Sequence, residues 1–222
     1  MISFNFIWLV VLISGIISFT LMIFFNAFNA KKHDPNFSFR NYFPYEYFNK
    51  LSKIFAFIFV ISLFASLSTI LPYSVDLGNN FILLIVITFV IGLSGVTSFV
   101  NMSLPLKYMK EHMIVSTIQM ASSFLSIALA TVRLFLAYSI ESRFNQGTLY
   151  LCFGVLGAIL SILMLVVIFN PKLKDWTKLD VINVNGEKTY SRPKFVSLAY
   201  SEWVSLLILL FSQILFLISM IG

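Results

Sequence analysis

The sequence is poor in charged residues, in cysteine and in histidine, and each shortage excludes a class of protein. Only 11% of its 222 residues are charged and 59% are hydrophobic, which is too little polar surface to cover a water-soluble domain. The single cysteine, Cys152, excludes an intrachain disulfide, and its place in an apolar run predicts a buried thiol. No His, Cys, Asp and Glu cluster has metal-ligand spacing, so neither a metal nor another cofactor is expected.

Long runs without charge define the class to which the chain belongs. Asp, Glu, Lys and Arg are absent from 1–30, 54–75, 77–106, 112–132, 144–171 and 203–222. A helix needs about 20 residues to cross roughly 30 Å of hydrocarbon, and the two-residue alternation of a barrel strand is missing. The sequence therefore predicts an all-α, polytopic membrane protein with a single transmembrane domain. Its six transmembrane helices are expected at about 2–29, 54–72, 80–101, 113–140, 149–170 and 203–221.

The basic residues are confined almost entirely to alternate connections. All lysines and arginines except Arg133 and Arg143 lie in 31–53, 102–111 and 171–202. The positive-inside rule places these connections inside and both termini outside. The expected location is the cytoplasmic membrane of a bacterium or the inner membrane of an organelle, with anionic headgroups against the inner face. Membrane topology accounts for the net charge of +6, so nucleic acid is not an expected partner.

A polar stripe follows the fourth predicted helix. Its members succeed one another at alternating steps of four and three residues, which places them on one helical face: His112, Ser116, Gln119, Ser123, Ser126, Ala130 and Arg133. At a rise of 1.5 Å per residue, the stripe is roughly 30 Å long. It is either the centre of the bundle or the wall of a hydrophilic path, and its polar members are the candidate translocation residues.

Arg133 is the one charged residue within the predicted span. A charge left unpaired in hydrocarbon costs at least about 3 kcal/mol, which makes the residue a candidate for function. The guanidinium could instead reach the outer interface or pair with Glu141, two turns further along the same face. If Arg133 is buried at depth, its counter-charge must come from another subunit or a ligand.

The segment around Arg133 resembles a known family. "SIALATVRLFLAYS", 126–139, is similar to the arginine segment of subunit a of rotary ATP synthases, where a serine-containing apolar run leads into Arg-Leu-Phe. The resemblance implies that Arg133 separates proton paths beside the carboxylates of a rotor ring. The chain departs from that family because Leu136 and Ala137 stand where the run usually continues to Asn, and because the downstream Gly-His is absent.

A second short segment resembles the nucleophile motif of rhomboid proteases. "GLSGV", 92–96, is similar to their Gly-x-Ser-Gly, with Ser94 at the place of the serine. That chemistry needs a histidine base on a later membrane helix, whereas the two histidines here are His33 and His112. Ser94 is therefore expected to pack against another helix, as small residues do in membrane bundles, and no enzymatic activity is expected.

Two inner connections have the composition of contact surfaces. In "FSFRNYFPYEYF", 37–48, seven of twelve residues are aromatic, which fits either an interfacial anchor or a docking surface for a partner. "LDVINVNGEKTYSR", 179–192, predicts a β-hairpin around Asn185-Gly186. The candidate partner or lipid contacts in these connections are Phe39, Arg40, Tyr42, Phe43, Tyr45 and Trp176.

Two functions remain open on the sequence. The first is a non-catalytic integral-membrane subunit of a larger complex that includes other membrane subunits. The second is a transporter or an ion- or proton-translocating subunit, similar to subunit a, that uses the polar face around Arg133.

Overall fold

Long α-helices make up most of the fold in the computed structural model of the chain. The structure describes residues 6–70, 79–104, 108–141, 147–175, 180–184, 187–191 and 193–220. The helices, in chain order, are α1 (Phe6–His33), α2 (Lys50–Ile70), α3 (Asn79–Ser103), α4 (Met109–Glu141), α5 (Gly147–Ile168) and α6 (Ser197–Ile218). Short 3₁₀ turns cover Pro44–Tyr47 and Pro171–Asp175.

Five of the described helices, α1, α3, α4, α5 and α6, are long and apolar enough to cross a membrane. This confirms a multi-pass, helical membrane protein. The remaining helix, α2, has 21 residues and coincides with the second predicted span. It begins at Lys50 because the Asn49 side chain accepts a hydrogen bond from the Ser52 amide, 2.8 Å away, and so caps the first turn.

The helices are arranged around α4. This helix packs against α3, α5 and α6, whereas α1 and α2 pack chiefly against each other and join the rest through α3 and α6. The outer faces remain apolar: on α5, Ile159, Ile162 and Val166 are each more than half exposed. The polar stripe of α4 therefore occupies the middle of the bundle, away from the surface that faces lipid.

The last connection contains the predicted hairpin. Strands β1 (Asp180–Val184) and β2 (Glu187–Ser191) pair antiparallel, with Val184 opposite Glu187. The turn residues Asn185 and Gly186 lie outside the described residues, and so does Trp176.

Two expectations about individual positions were wrong. The last helix begins at Ser197 and not at about 203, because the Val196 amide is held by the Arg40 carbonyl at 2.7 Å and the helix starts directly after it. Cys152 is exposed, because it lies on the face of α5 turned away from α4 and α6.

Small residues set the closest helix contacts. A Cβ added at Gly95 of α3 would lie 2.4 Å from the ring of Phe59 on α2, and that ring is itself packed against Phe19 of α1 at a centroid distance of 4.6 Å. A Cβ at Gly157 of α5 would lie 2.2 Å from the Thr131 hydroxyl on α4. These glycines let the helices approach each other, as in other membrane bundles.

We expect Gly95→Ala to lower the thermal unfolding midpoint relative to Gly92→Ala. Both changes gain about 1 kcal/mol of helix propensity, but only the methyl at Gly95 meets the Phe59 ring, and such overpacking costs about 1–3 kcal/mol. Gly92 borders an open apolar groove and a Cβ there meets nothing within 4 Å. Unfolding of both variants in the same detergent measures the difference, and equal midpoints would contradict this account of α2–α3 packing.

Candidate functional site

The polar face of α4 is buried between α3 and α6. Five of its side chains are at most 1% exposed: His112, Ser116, Gln119, Ser123 and Ser126. Their polar atoms bond to side chains of the two neighbouring helices. Because lipid offers no hydrogen bonds, polar groups on these three helices must satisfy one another.

Helices α4 and α6 run parallel and in register. Gln119 donates to the Ser205 hydroxyl at 2.7 Å, and Ser126 donates to the Ser212 hydroxyl at 3.0 Å. Each pair is separated by 86 residues along the chain, and a constant separation is possible only between parallel helices with matched rise. A one-residue slip of α6 along α4 would therefore break every bond in the series.

Helix α3 completes the network from the opposite side. The Asn101 amide donates to the Gln119 side-chain oxygen at 2.9 Å, and Gln119 in turn donates to Ser205. Nearer the middle of α3, the hydroxyls of Ser94 and Ser123 lie 2.8 Å apart. Ser94 is fully buried, and its side chain contacts α4 as the small-residue interpretation predicts.

A buried carboxyl group and a buried imidazole meet at one end of this column. The His112 Nε2 atom lies 2.9 Å from Oε1 of Glu202, and the two side chains are 0% and 1% exposed. Oε1 also accepts a hydrogen bond from the Ser116 hydroxyl at 2.6 Å. The second ring nitrogen, Nδ1, lies 2.8 Å from the Leu104 carbonyl oxygen at the end of α3. The pair therefore joins α3, α4 and α6.

One carboxylate oxygen has no such support. Glu202 Oε2 is buried without a hydrogen-bond partner in the part of the chain that the structure describes. An unpaired buried acceptor is uncommon and costs roughly 1–3 kcal/mol or more when it is charged. Glu202 is therefore, with Arg133, one of two ionisable side chains with an unpaired buried polar atom among the described residues.

The aromatic segment 37–48 folds back over this end of the bundle. The rings of Phe43 and Tyr45 approach the His112 ring edge to face, at 5.9 and 5.4 Å between centroids. The backbone of the segment is held by side chains of the bundle: Asn26 donates to the Pro44 carbonyl at 2.8 Å and Trp203 to the Tyr42 carbonyl at 2.8 Å. The segment thus covers His112 and Glu202 from the side predicted to be inside.

The residues predicted to contact a partner occupy different positions in this segment. Phe43 is only 3% exposed, and the Tyr42 hydroxyl donates to Asp34. Phe39 is 46% exposed, packs one edge on Trp203, and is followed by the exposed Arg40. The surface open to a partner or to headgroups thus centres on Phe39 and Arg40.

Arg133 lies at the other end of the stripe. It is partly buried, and its Nε and Nη1 atoms have no hydrogen-bond partner among the described residues. The Glu141 side chain, its predicted partner, lies outside the described part of the chain.

Sequence reasoning missed the acidic half of the buried pair. Glu202 falls one residue before the expected start of the last helix, so it was assigned to a connection. The missed signal is a spacing: Glu202, Ser205, Ser212 and Ser219 lie three, seven and seven residues apart, which marks one polar face of a helix that begins earlier. Asn101 was likewise placed at a helix end, although its amide reaches Gln119.

No family model, curated protein or solved structure matches the chain. Its chemistry must therefore be argued from the site. Among the described residues, no group of three or more His, Cys, Asp and Glu side chains is placed to hold a metal ion. The assembled side chains are suited to forming a continuous chain of hydrogen bonds and to holding a proton.

We expect Gln119→Leu to destabilise the protein by about 1 kcal/mol or more. The change leaves the Asn101 amide without its acceptor and Ser205 without its donor, and interhelical hydrogen bonds in membranes average about 0.6 kcal/mol each. The matched control is Thr117→Val, since Thr117 is exposed on α4 and bonds only to the backbone of its own helix, at Met113. Unfolding midpoints in one detergent compare the two, and equal stability would mean that the α3–α4–α6 network contributes nothing.

Proposed function

We propose that the chain crosses the membrane six times, with both termini outside, and serves as a transporter or ion-translocating subunit. In this proposal α2, the second helix in chain order, also crosses the membrane and brings the number of spans to six. The basic connections lie inside. The membrane is the cytoplasmic membrane of a bacterium or the inner membrane of an organelle. The protein is not an enzyme in this proposal and needs no bound cofactor.

The observation that carries the proposal is the ionisable pair within the bundle. Charged or titratable side chains inside membrane helices are costly and mark ion, proton or substrate pathways. Here Glu202 and His112 adjoin a hydrogen-bonded column that continues along α4 through Gln119 and Ser126. A bundle held together by packing alone could use apolar side chains at these positions.

The column suggests how an ion or proton would move. Its amide and hydroxyl groups alternate donors and acceptors between α3, α4 and α6, so side-chain rotations within the column would exchange hydrogen-bond partners without exposing them to lipid. Segment 37–48 would act at the inner end. Arg133, roughly 25 Å further along α4 than Ser116, would set the charge near the outer end.

We expect the purified protein to carry protons or sodium ions across a liposome membrane. The assay is proton uptake under an imposed potassium diffusion potential, followed by a trapped pH dye, and uptake of radioactive sodium in parallel. Gln119→Leu and Arg133→Ala should reduce the rate at least tenfold while the protein remains folded, because they interrupt the column and remove the outer charge.

Thr117→Val is the control and should transport at the rate of the unaltered protein. Should no proton or sodium flux exceed that of empty liposomes, ion translocation by this chain alone is excluded.

A second function, a non-catalytic subunit of a larger membrane complex, is favoured by two guanidinium nitrogens of Arg133 that lack a partner among the described residues. Arg133 keeps its charge under all ordinary conditions, and Nε and Nη1 find no acceptor among the described residues. A carboxylate on a neighbouring subunit would supply one. Phe39 and Arg40 offer that complex a further contact on the inner side, of the aromatic and cationic kind common at binding hot spots.

We expect tagged protein, extracted from its own membrane in mild detergent, to bring stoichiometric membrane partners with it. Mass spectrometry identifies them and their ratio. A double change, Phe39→Ser with Arg40→Ser, should release an inner partner because both side chains are exposed, whereas Thr117→Val should not. A chain that is isolated alone, or with copies of itself, rules out the subunit proposal.

A further inference from the structure

We infer that His112 and Glu202 form a buried proton-binding site that holds one exchangeable proton between His112 Nε2 and Glu202 Oε1. This inference deepens the proposed function. Only the role of the proton in transport rests on that function. The presence of the proton rests only on the geometry of the pair.

The contact at the far side of the imidazole decides where its protons are. His112 Nδ1 lies 2.8 Å from the Leu104 carbonyl oxygen, and a carbonyl can only accept a hydrogen bond. Nδ1 must therefore carry a hydrogen. A neutral imidazole has a hydrogen on only one nitrogen, so Nε2 of neutral His112 would be an acceptor facing the carboxyl group.

Two nearby acceptors cannot lie 2.9 Å apart without a proton between them. Either His112 is an imidazolium that donates to an ionised Glu202, or a protonated Glu202 donates to neutral His112. Both arrangements contain the same number of protons, and in both the pair has no net charge. The Ser116 hydroxyl, which donates to the same carboxyl oxygen, fits either one.

Among the described residues, no third ionisable side chain forms an ion pair with His112 or Glu202. In the part of the chain that the structure describes, the phenol of Tyr45 is the other ionisable group with a ring contact to His112, and Glu46 in the same turn accepts from the Phe43 amide at 2.8 Å. Lys110 and Glu111 of α4 are exposed, and α3 contains no ionisable residue. On α6 the other ionisable residue is Tyr200, which is exposed. One proton therefore decides whether the buried site is neutral or carries a full negative charge.

Loss of the proton would leave that charge with too few hydrogen bonds. Glu202 Oε2 already lacks a partner among the described residues, and a buried unpaired carboxylate is strongly unfavourable. Water would have to enter, and the turn Pro44–Tyr47 lies against His112 on the inner side. It is held there by side-chain bonds from α1, including that of Asn29 to the Tyr47 carbonyl at 3.0 Å. Release of the proton should therefore accompany movement of this turn.

Nitrogen-15 NMR of histidine-labelled protein in lipid nanodiscs tests the site directly. The variant His33→Gln leaves His112 as the only histidine, so its two ring nitrogens can be assigned. Infrared difference spectra of the same sample report whether Glu202 is protonated, with Glu202→Gln to identify the band. We expect a hydrogen on Nδ1 of His112. We also expect either a His112 imidazolium with an ionised Glu202 or a neutral His112 with a protonated Glu202. As the pH is raised, one proton should leave the pair.

Two control variants and two contrary outcomes make the result decisive. Glu202→Gln should abolish the release, because its amide NH2 can donate to Nε2 without a titratable proton while the Ser116 hydroxyl donates to the Asn101 side-chain oxygen, 3.0 Å away. Glu111→Gln should leave the release unchanged. A ring protonated only at Nε2 beside an ionised Glu202, or a pair that releases no proton while the protein stays folded, overturns the inference. If Glu202→Gln does not fold, the spectra of His33→Gln alone still decide between these states.

The same samples separate the inference from the proposed function. A pair that holds and releases one proton, in a protein without ion flux, leaves the proton site standing and removes translocation. Ion flux that persists undiminished in Glu202→Gln shows translocation that does not use this proton, and thus overturns the part of the inference that links the site to transport.

Discussion

The burial of one carboxyl group is the constraint on which the arrangement of this bundle depends. Glu202 is 1% exposed on a helix apolar enough to cross a membrane, where neither water nor lipid can bond to it. Its partners must come from the chain, and they come from α4. His112 in turn contacts the Leu104 carbonyl oxygen at the end of α3. Three helices are therefore held at one point by one acidic side chain.

The contact between Glu202 and Ser116 also determines the register of α6 along α4. Since α4 and α6 are parallel, a match at Ser116 and Glu202 places Gln119 beside Ser205 and, two turns later, Ser126 beside Ser212. Apolar packing between membrane helices permits sliding, because lipid tails are as apolar as Leu. The hydrogen bonds select one register among several that packing would allow, whereas small residues such as Gly95 and Gly157 determine how close the helices come.

How much of this could be read from the sequence depended on the kind of signal. Apolar runs predicted the long helices, and the alternating steps of the α4 stripe predicted its buried face, because both are local patterns. The partners of that face on α6 could not be predicted, since they lie 86 to 90 residues away and no local pattern encodes such a pairing. The charge of Glu202 predicts a connection and not a helix, and this rule fails where tertiary contacts satisfy the charge.

The two unusual groups of the column, Glu202 and Arg133, cannot neutralise each other directly. They lie roughly 25 Å apart along α4, and at an effective dielectric constant of about 20 their attraction is only about 0.7 kcal/mol. A change of protonation at Glu202 would therefore be felt at Arg133 through helix packing and hardly at all through the electric field. The parallel, in-register contact of α4 with α6 provides such a connection, because a displacement of α6 at Glu202 must break or move the bonds at Gln119 and Ser126 before it reaches the level of Arg133.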